Sequence, residues 1–145
     1  MRFKLQLMAL AVGLFAGHSI IACDLQVENG WIREAPPGAP SIAAYGVLKN
    51  SGAKALEVTA ISSKASDMAM LHESSVKDGI SQMRMLSSVT IRAGGKLTLA
   101  PGGKHIMLTD PRNAPKAGEH VTISFTDSSG CVTNGDFTVR PLTAD

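Results

Sequence analysis

Most of the chain consists of short runs in which apolar and polar residues alternate, separated by turn-forming residues. The runs include "KLTLA", "HVTISFTD" and "DFTVR", and segments such as "KNSG", "KDG", "AGG" and "PGG" stand between runs. Alternation with a period of two is typical of half-buried strands, and Gly and Asn tolerate the positive φ of tight hairpins. No window has a sustained helical period. The pattern predicts an all-β fold, as a single Greek-key β-sandwich.

The N-terminus has the features of an export signal. Arg2 and Lys4 precede an apolar run that ends at the small residue Ala22. We therefore interpret residues 1–22 as a secretory signal peptide and residues 23–145 as one folded domain, with no later transmembrane segment. Loss of the two basic residues takes the formal side-chain charge from +2 to zero. Nothing in this charge balance indicates a nucleic-acid partner.

The exported chain contains two cysteines, Cys23 and Cys131. An exported chain meets an oxidising compartment, which favours a disulfide between them. An alternative is that "IIAC" is a bacterial lipobox, so that Cys23 is acylated and anchors the protein to a membrane. Cys131 would then be left unpaired. The sequence leaves both interpretations open.

Histidine and methionine are the side chains that carry chemistry. Methionine is usually a flexible core residue, and a lone strand histidine is usually a hydrogen-bonded surface residue. In "KHIMLT", however, alternation turns His105 and Met107 to one face and the two apolar residues to the other. The runs "MAMLHE" and "ISQMRML" are joined by "SSVKDG", which we interpret as a hairpin loop. Such a hairpin would bring His72 close to Met83.

These four residues are spaced as His72-x10-Met83-x21-His105-x-Met107. This arrangement resembles the signature of the PCu(A)C family of bacterial periplasmic copper chaperones. The segments "WIREAPPGAPSIAAYGVLKNSG" and "LAPGGKHIMLTD" also resemble that family, and the resemblance covers most of the exported chain. It implies a cupredoxin-like β-sandwich that binds one Cu(I) ion through the four residues.

The chemistry of the four side chains agrees with that implication. Two neutral imidazoles and two thioethers form a soft, uncharged donor set that suits Cu(I), whereas zinc sites use thiolate, imidazole or carboxylate. Met70 and Met85 share strand parity with the proposed ligands and are possible auxiliary ligands, with a packing or structural role as the alternative for each. Met68 is expected to pack, and His120 to be a solvated residue at a strand end. Glu73 is expected to face away from the site as a solvated charge.

The resemblance implies a monomeric Cu(I) metallochaperone rather than an enzyme. Its partner would be a copper acceptor such as the dinuclear copper site of cytochrome c oxidase subunit II, or another copper carrier. The sequence contains no nucleophile–base pair, paired carboxylates or phosphate-binding loop. One alternative is a metal-free β-sandwich interaction module. Another is an electron-transfer cupredoxin, but that site needs a cysteine thiolate, and no histidine or methionine follows Cys131.

Overall fold

A computed structural model describes residues 22–142, which form ten β-strands. The strands are β1 (Leu25–Arg33), β2 (Ser41–Asn50), β3 (Leu56–Ser62), β4 (Ser66–Lys77), β5 (Ile80–Leu86), β6 (Val89–Ile91), β7 (Lys96–Leu99), β8 (Lys104–Pro111), β9 (His120–Asp127) and β10 (Val132–Arg140). The predicted signal peptide lies outside the described residues, except for Ala22. Within the described part of the chain, no helix is long and apolar enough to cross a membrane.

The strands form one continuous hydrogen-bonded path in the order β5-β4-β8-β2-β1-β10-β9-β3-β6, and β7 pairs with β2. Every pairing is antiparallel except that of β1 with β10. Neighbours on the path are often distant in sequence, which is the mark of Greek-key crossovers. The path folds over so that β3 packs near β4, and the two layers enclose the core. The prediction of an all-β sandwich is therefore confirmed.

The side chains on one face of each strand pack into the core, and those on the other face point away from it. Phe125 and Phe137 are fully buried with their ring centroids 6.3 Å apart, and Ile106 and Leu108 of β8 are also fully buried. Burial of one such side chain stabilises the fold by about 1.5–3 kcal/mol. Because Ile106 and Leu108 point into the core, alternation directs the residues between and beside them to the opposite face.

A two-residue turn joins β4 to β5. Asp78 and Gly79 have φ values of 51° and 76°, and Lys77 pairs with Ile80 on either side of them. Positive φ at both central positions defines a type I′ turn, whose twist matches that of the strands. The prediction of a longer loop, "SSVKDG", was wrong in extent. Because this turn needs only two residues, the four before Asp78 stay in β4 and pair with β5.

Candidate metal centre

Strand register brings the predicted site residues onto one face of the three strands β5, β4 and β8. Across β4 and β8, His72 is opposite His105 and Met70 is opposite Met107. Across β4 and β5, Met85 is opposite His72. Residues in register on neighbouring strands share a face. This face therefore carries a band of imidazole and thioether groups, and we call it the ligand face.

His72 and Met83 are in direct contact, with the Nδ1 and Sδ atoms 3.3 Å apart. Met83 is opposite Ser74, so it reaches His72 along the diagonal of the hairpin. A tetrahedral metal ion bound at about 2.0 Å to nitrogen and about 2.3 Å to sulfur holds the two atoms roughly 3.5 Å apart. The observed separation therefore matches two ligands of one metal ion.

The second imidazole lies beside the first. The ring centroids of His72 and His105 are 5.9 Å apart and the rings are nearly perpendicular, at 83°. Two imidazoles that share a tetrahedral metal have centroids roughly 5 Å apart, given a nitrogen-to-metal distance of about 2.0 Å. The two rings therefore need only a small adjustment to bind the same ion.

A backbone hydrogen bond orients the His105 ring. Its Nδ1 lies 3.0 Å from the carbonyl oxygen of Gly103. A carbonyl only accepts hydrogen bonds, so Nδ1 carries the proton and donates it, which leaves the Nε2 lone pair for a ligand. This arrangement, in which a second group fixes the tautomer and orientation of a histidine, is usual at protein metal sites.

Met107 lies two residues beyond His105 on β8, on the same face and half-buried. Its neighbours in register are Met70 on β4 and Ala43 on β2. The small side chain of Ala43 leaves room on one side of it. The structure thus brings His72 and Met83 into contact and places His105 beside them. Met107 follows His105 along β8 on the same ligand face.

The two auxiliary candidates also belong to this face. Met85 is exposed and Met70 is half-buried, and Met68 is exposed one pairing further along β4. Met68 therefore packs less than was expected. His120 lies at the start of β9, exposed as expected, with its Nδ1 2.8 Å from an Asp136 carboxylate oxygen. It takes no part in the candidate centre.

The local environment of His72 favours the neutral form of its imidazole. Burial, and secondarily the charge of His105, hold the pKa of His72 below its ordinary value. Neutral imidazole is the form that binds metals. In the stretch from residue 22 to 142, no group of three or more His, Cys, Asp or Glu side chains could hold a metal ion. A metal centre at His72 and His105 therefore depends on thioether sulfur.

Glu73 faces away from the ligand face, as predicted, but it is not simply solvated. Its carboxylate accepts hydrogen bonds from Arg84 Nε at 2.9 Å and from Lys104 Nζ at 2.6 Å. The bonds from Lys104 and Arg84, in that order, lower the pKa of Glu73. The prediction failed because the partners come from two other strands, β5 and β8, that only the register brings alongside. The three charges link the strands that carry the ligand face.

Two aromatic residues that the sequence did not single out cover one side of the centre. Tyr45 on β2 is buried, with its ring centroid 6.4 Å from that of His105. Trp31 on β1 is 4.5 Å from Tyr45 by the same measure. Burial is the main influence on Tyr45 and raises the pKa of its phenol. No local pattern in "AAYGV" marks this role, because it depends on the pairing of β2 with β8.

Cys23 and Cys131 form a disulfide, with their Cα atoms 5.8 Å apart. It joins Cys23, which lies just before β1, to Cys131 in the connection between β9 and β10. Acylation of a lipoprotein cysteine uses the same sulfur atom. The disulfide and a lipid on Cys23 are therefore mutually exclusive in one molecule.

The sandwich and its ligand face define a PCuAC-type β-sandwich domain. The chain belongs to the family described as "Putative lipoprotein LpqE-like", which matches residues 25–139. A curated relative, "Putative lipoprotein Lxx21020" of Leifsonia xyli subsp. xyli, is 36% identical over 110 residues, or 75% of this chain. The chain spans 65% of that relative's length.

The solved structures that are similar to this chain include PCuAC domains. The solution structure of CuI-DR1885 from Deinococcus radiodurans is 28% identical, with a TM-score of 0.65 over 83% of this chain and 81% of that chain. The copper-bound PCuAC domain from PmoF2 has a TM-score of 0.68 over 81% of this chain and 93% of that chain. It is only 17% identical in sequence, so it supports the fold alone. The predicted resemblance to the PCu(A)C family and the cupredoxin-like sandwich are thereby confirmed.

Proposed function

We propose that the protein is an exported Cu(I) carrier, not an enzyme. It binds one Cu(I) ion through His72, Met83, His105 and Met107 and passes the ion to an acceptor protein. The observation that carries the proposal is the 3.3 Å contact between His72 Nδ1 and Met83 Sδ, beside the ring of His105. That ring has its Nε2 lone pair free, because Nδ1 donates to the backbone.

The donor set supports Cu(I) as the cargo. Imidazole nitrogen and thioether sulfur are soft, and neither adds negative charge that would favour a divalent ion. The structure of DR1885 from Deinococcus radiodurans agrees with this choice, since it was solved with Cu(I). Copper is here a substrate to be moved, so its site has to release it as well as hold it.

The uneven exposure of the ligands supports a transfer role. His105 is only 4% exposed, whereas Met83 is 53% exposed and lies on the outer strand of the path. An acceptor that approaches from solvent reaches Met83 first. We infer that an acceptor ligand replaces Met83 while His105 still holds the ion, so that copper is never released free into solution.

The acceptor and the location follow from the same proposal. The acceptor is a copper-site protein such as cytochrome c oxidase subunit II, or another copper carrier, and the carrier acts as a monomer. The lipoprotein descriptions of the family and of the curated relative support a secreted protein associated with the cell envelope, and we propose the periplasm. In that compartment the disulfide form leaves Cys23 without a lipid, and the protein is free to diffuse.

A competition titration with a Cu(I)-specific chelator tests the site. The parent should bind one Cu(I) per chain, and Met83→Leu and Met107→Leu should each bind it more weakly. These exchanges preserve volume and usually cost less than about 1.5 kcal/mol of stability, so thermal unfolding of the metal-free protein should barely change. Met68→Leu is the matched control, since Met68 is equally exposed but lies outside the four-residue set. Unchanged affinity in both site variants would show that the assignment is wrong, and no binding by the parent would favour a metal-free interaction module.

A further inference from the structure

Two arginines lie next to each other on β1 and β10. Arg33 and Arg140 are in register across these parallel strands, and both are exposed. Residues in register share a face of the sheet, where like charges repel each other and destabilise the pairing. The pairing of the two strands alone therefore does not explain why both positions are arginine.

No acidic side chain of the described residues lies within 4.0 Å to neutralise these two arginines. The carboxylate of Glu34 accepts a hydrogen bond from the Ala117 backbone N–H, and that of Glu119 accepts one from the Lys116 N–H. The formal charge of the exported chain is zero once the two basic residues of the signal are removed from +2. The arginine pair is therefore a local concentration of positive charge on a neutral protein.

A chain of ring contacts connects the arginine pair to the candidate metal centre. The Arg140 guanidinium lies 4.8 Å from the centroid of the Trp31 ring, a cation–π distance. Trp31 packs on Tyr45, and Tyr45 packs near His105. Strands are spaced about 4.8 Å apart, so β1 and β10 lie roughly 10 to 15 Å from β8. A typical protein interface of about 800 Å² per partner is wide enough to cover both features.

We propose that Arg33 and Arg140 form a docking surface for a protein that presents clustered carboxylates beside its own copper site. The proposal rests on the proposed function, because the partner is the protein that exchanges copper with this chain. Guanidinium groups bind carboxylates with paired, charge-assisted hydrogen bonds, and they attract an acidic surface before contact. Docking here brings the partner's own ligands over the ligand face.

An acidic protein suits this surface better than a membrane does. Each basic residue near an anionic bilayer strengthens binding by only about fivefold, so two give roughly 25-fold. Two neighbouring guanidiniums, one of them stacked on an aromatic ring, instead favour carboxylates, because the planar guanidinium binds a carboxylate through two parallel hydrogen bonds. The position next to a metal centre also has a use only if the partner carries a site of its own.

The test uses the metal-free protein and hexa-aspartate peptide as the probe. Trp31 is the only tryptophan of the chain, so its fluorescence reports on the stacked Arg140 directly. We expect a saturable change in emission at about 20 mM salt that is lost at about 0.5 M salt, where charges are screened within a few ångströms. The double variant Arg33→Glu/Arg140→Glu should lose the response to the peptide by at least tenfold in apparent affinity.

The matched control is Lys54→Glu/Arg92→Glu. Both residues are exposed, and they lie close together because the Asn50 side chain donates to the backbone carbonyl oxygens of both. This variant makes the same change in net charge away from the docking surface and should respond like the parent. A parent that ignores the peptide, or an equal loss in both variants, would overturn the docking surface. Tighter binding to vesicles of one part phosphatidylglycerol to three parts phosphatidylcholine than to the peptide would overturn the protein partner.

Copper binding is measured separately, by chelator competition, so the two proposals fail in different ways. The arginine variant should bind Cu(I) as tightly as the parent. A parent that binds Cu(I) but does not respond to the peptide contradicts the docking surface alone. A parent that binds no Cu(I) contradicts the proposed function, and with it a partner that exchanges copper.

Discussion

Removal of the disulfide should destabilise the domain strongly without changing its folded structure. The substitution Cys131→Ala opens a link between residues separated by 108 positions. In the chain-entropy model, a closed loop of this length restricts the unfolded chain by about 4.8 kcal/mol at 25 °C. The folded state should survive, because the N-terminal segment has other attachments. The backbone N–H of Ser51 donates to the Asp24 carbonyl oxygen at 2.8 Å, and Leu25 pairs with Asn50.

Calorimetry of the metal-free protein measures this loss. A domain of about 120 residues changes its melting temperature by roughly 3 to 5 °C per kcal/mol, so we expect a fall of about 15 to 25 °C. Cys23→Ala opens the same link and should give the same fall. It differs in one respect, because it also removes the acceptor for a lipid.

The two cysteine variants therefore separate stability from anchoring. Mass spectrometry of the intact parent from its native host first establishes whether the disulfide or a diacylglyceryl group is present. With the disulfide present, a fall below about 5 °C in both variants would refute the reasoning, since the unfolded chain would then gain little freedom from the open link. A diacylglyceryl mass on Cys23 would show instead that the native protein is anchored to a membrane.

Three further predictions concern the site and its support. Cu(I) affinity should be constant above about pH 7.5 and should fall at lower pH, because only neutral imidazole binds the metal and protons compete for it. Burial lowers the pKa of His72, so proton competition at this residue should begin at lower pH than for an ordinary histidine. Constant affinity down to about pH 5 would contradict binding through imidazole. Gly79→Ala should lower the free energy of unfolding, measured with denaturant, by about 1–2 kcal/mol, because the added Cβ meets no atom within 4 Å and only the left-handed φ is strained. It should also weaken Cu(I) binding by moving Met83. An unchanged free energy of unfolding would contradict the turn assignment. Ile106→Ala should cost about 2–5 kcal/mol, and a measured loss below about 1 kcal/mol would show that this side chain is not packed in the core.

The strands could be predicted from sequence because each depends on local information. The run "KHIMLT" alternates strictly, and in the structure Ile106 and Leu108 are fully buried while Met107 lies on the other face. Turn chemistry was equally local, since Asp78 and Gly79 form the kind of pair that favours a two-residue hairpin turn. What failed was the extent of that loop, since nothing in "SSVK" distinguishes an exposed strand from a loop.

Register is the property that the sequence did not supply, and the site depends on it. The contact of His72 with Met83 was expected from the hairpin, but the position of Met85 directly opposite His72 required the pairing itself. The partners of Glu73 and the packing of Tyr45 against His105 were missed for the same reason. The contact of Glu73 with Lys104 and that of Tyr45 with His105 join strands that are distant in sequence, so no short window of the chain contains both members. Met85 and Arg84 lie on the next strand along the chain, but the residues they face depend on the register that the two-residue turn sets.

The strand order also gives a physical reason why such a centre can hold copper and still release it. His105 and Met107 lie on β8, which pairs with β4 on one side and β2 on the other. The opposite face of β8 is packed into the core. Met83 lies on β5, which ends the path and is almost entirely exposed. Local opening is easiest where few apolar contacts are buried and backbone hydrogen bonds face solvent. The outer strand is therefore expected to move first, so under the proposed function Met83 would detach from copper while His105 and Met107 keep their positions.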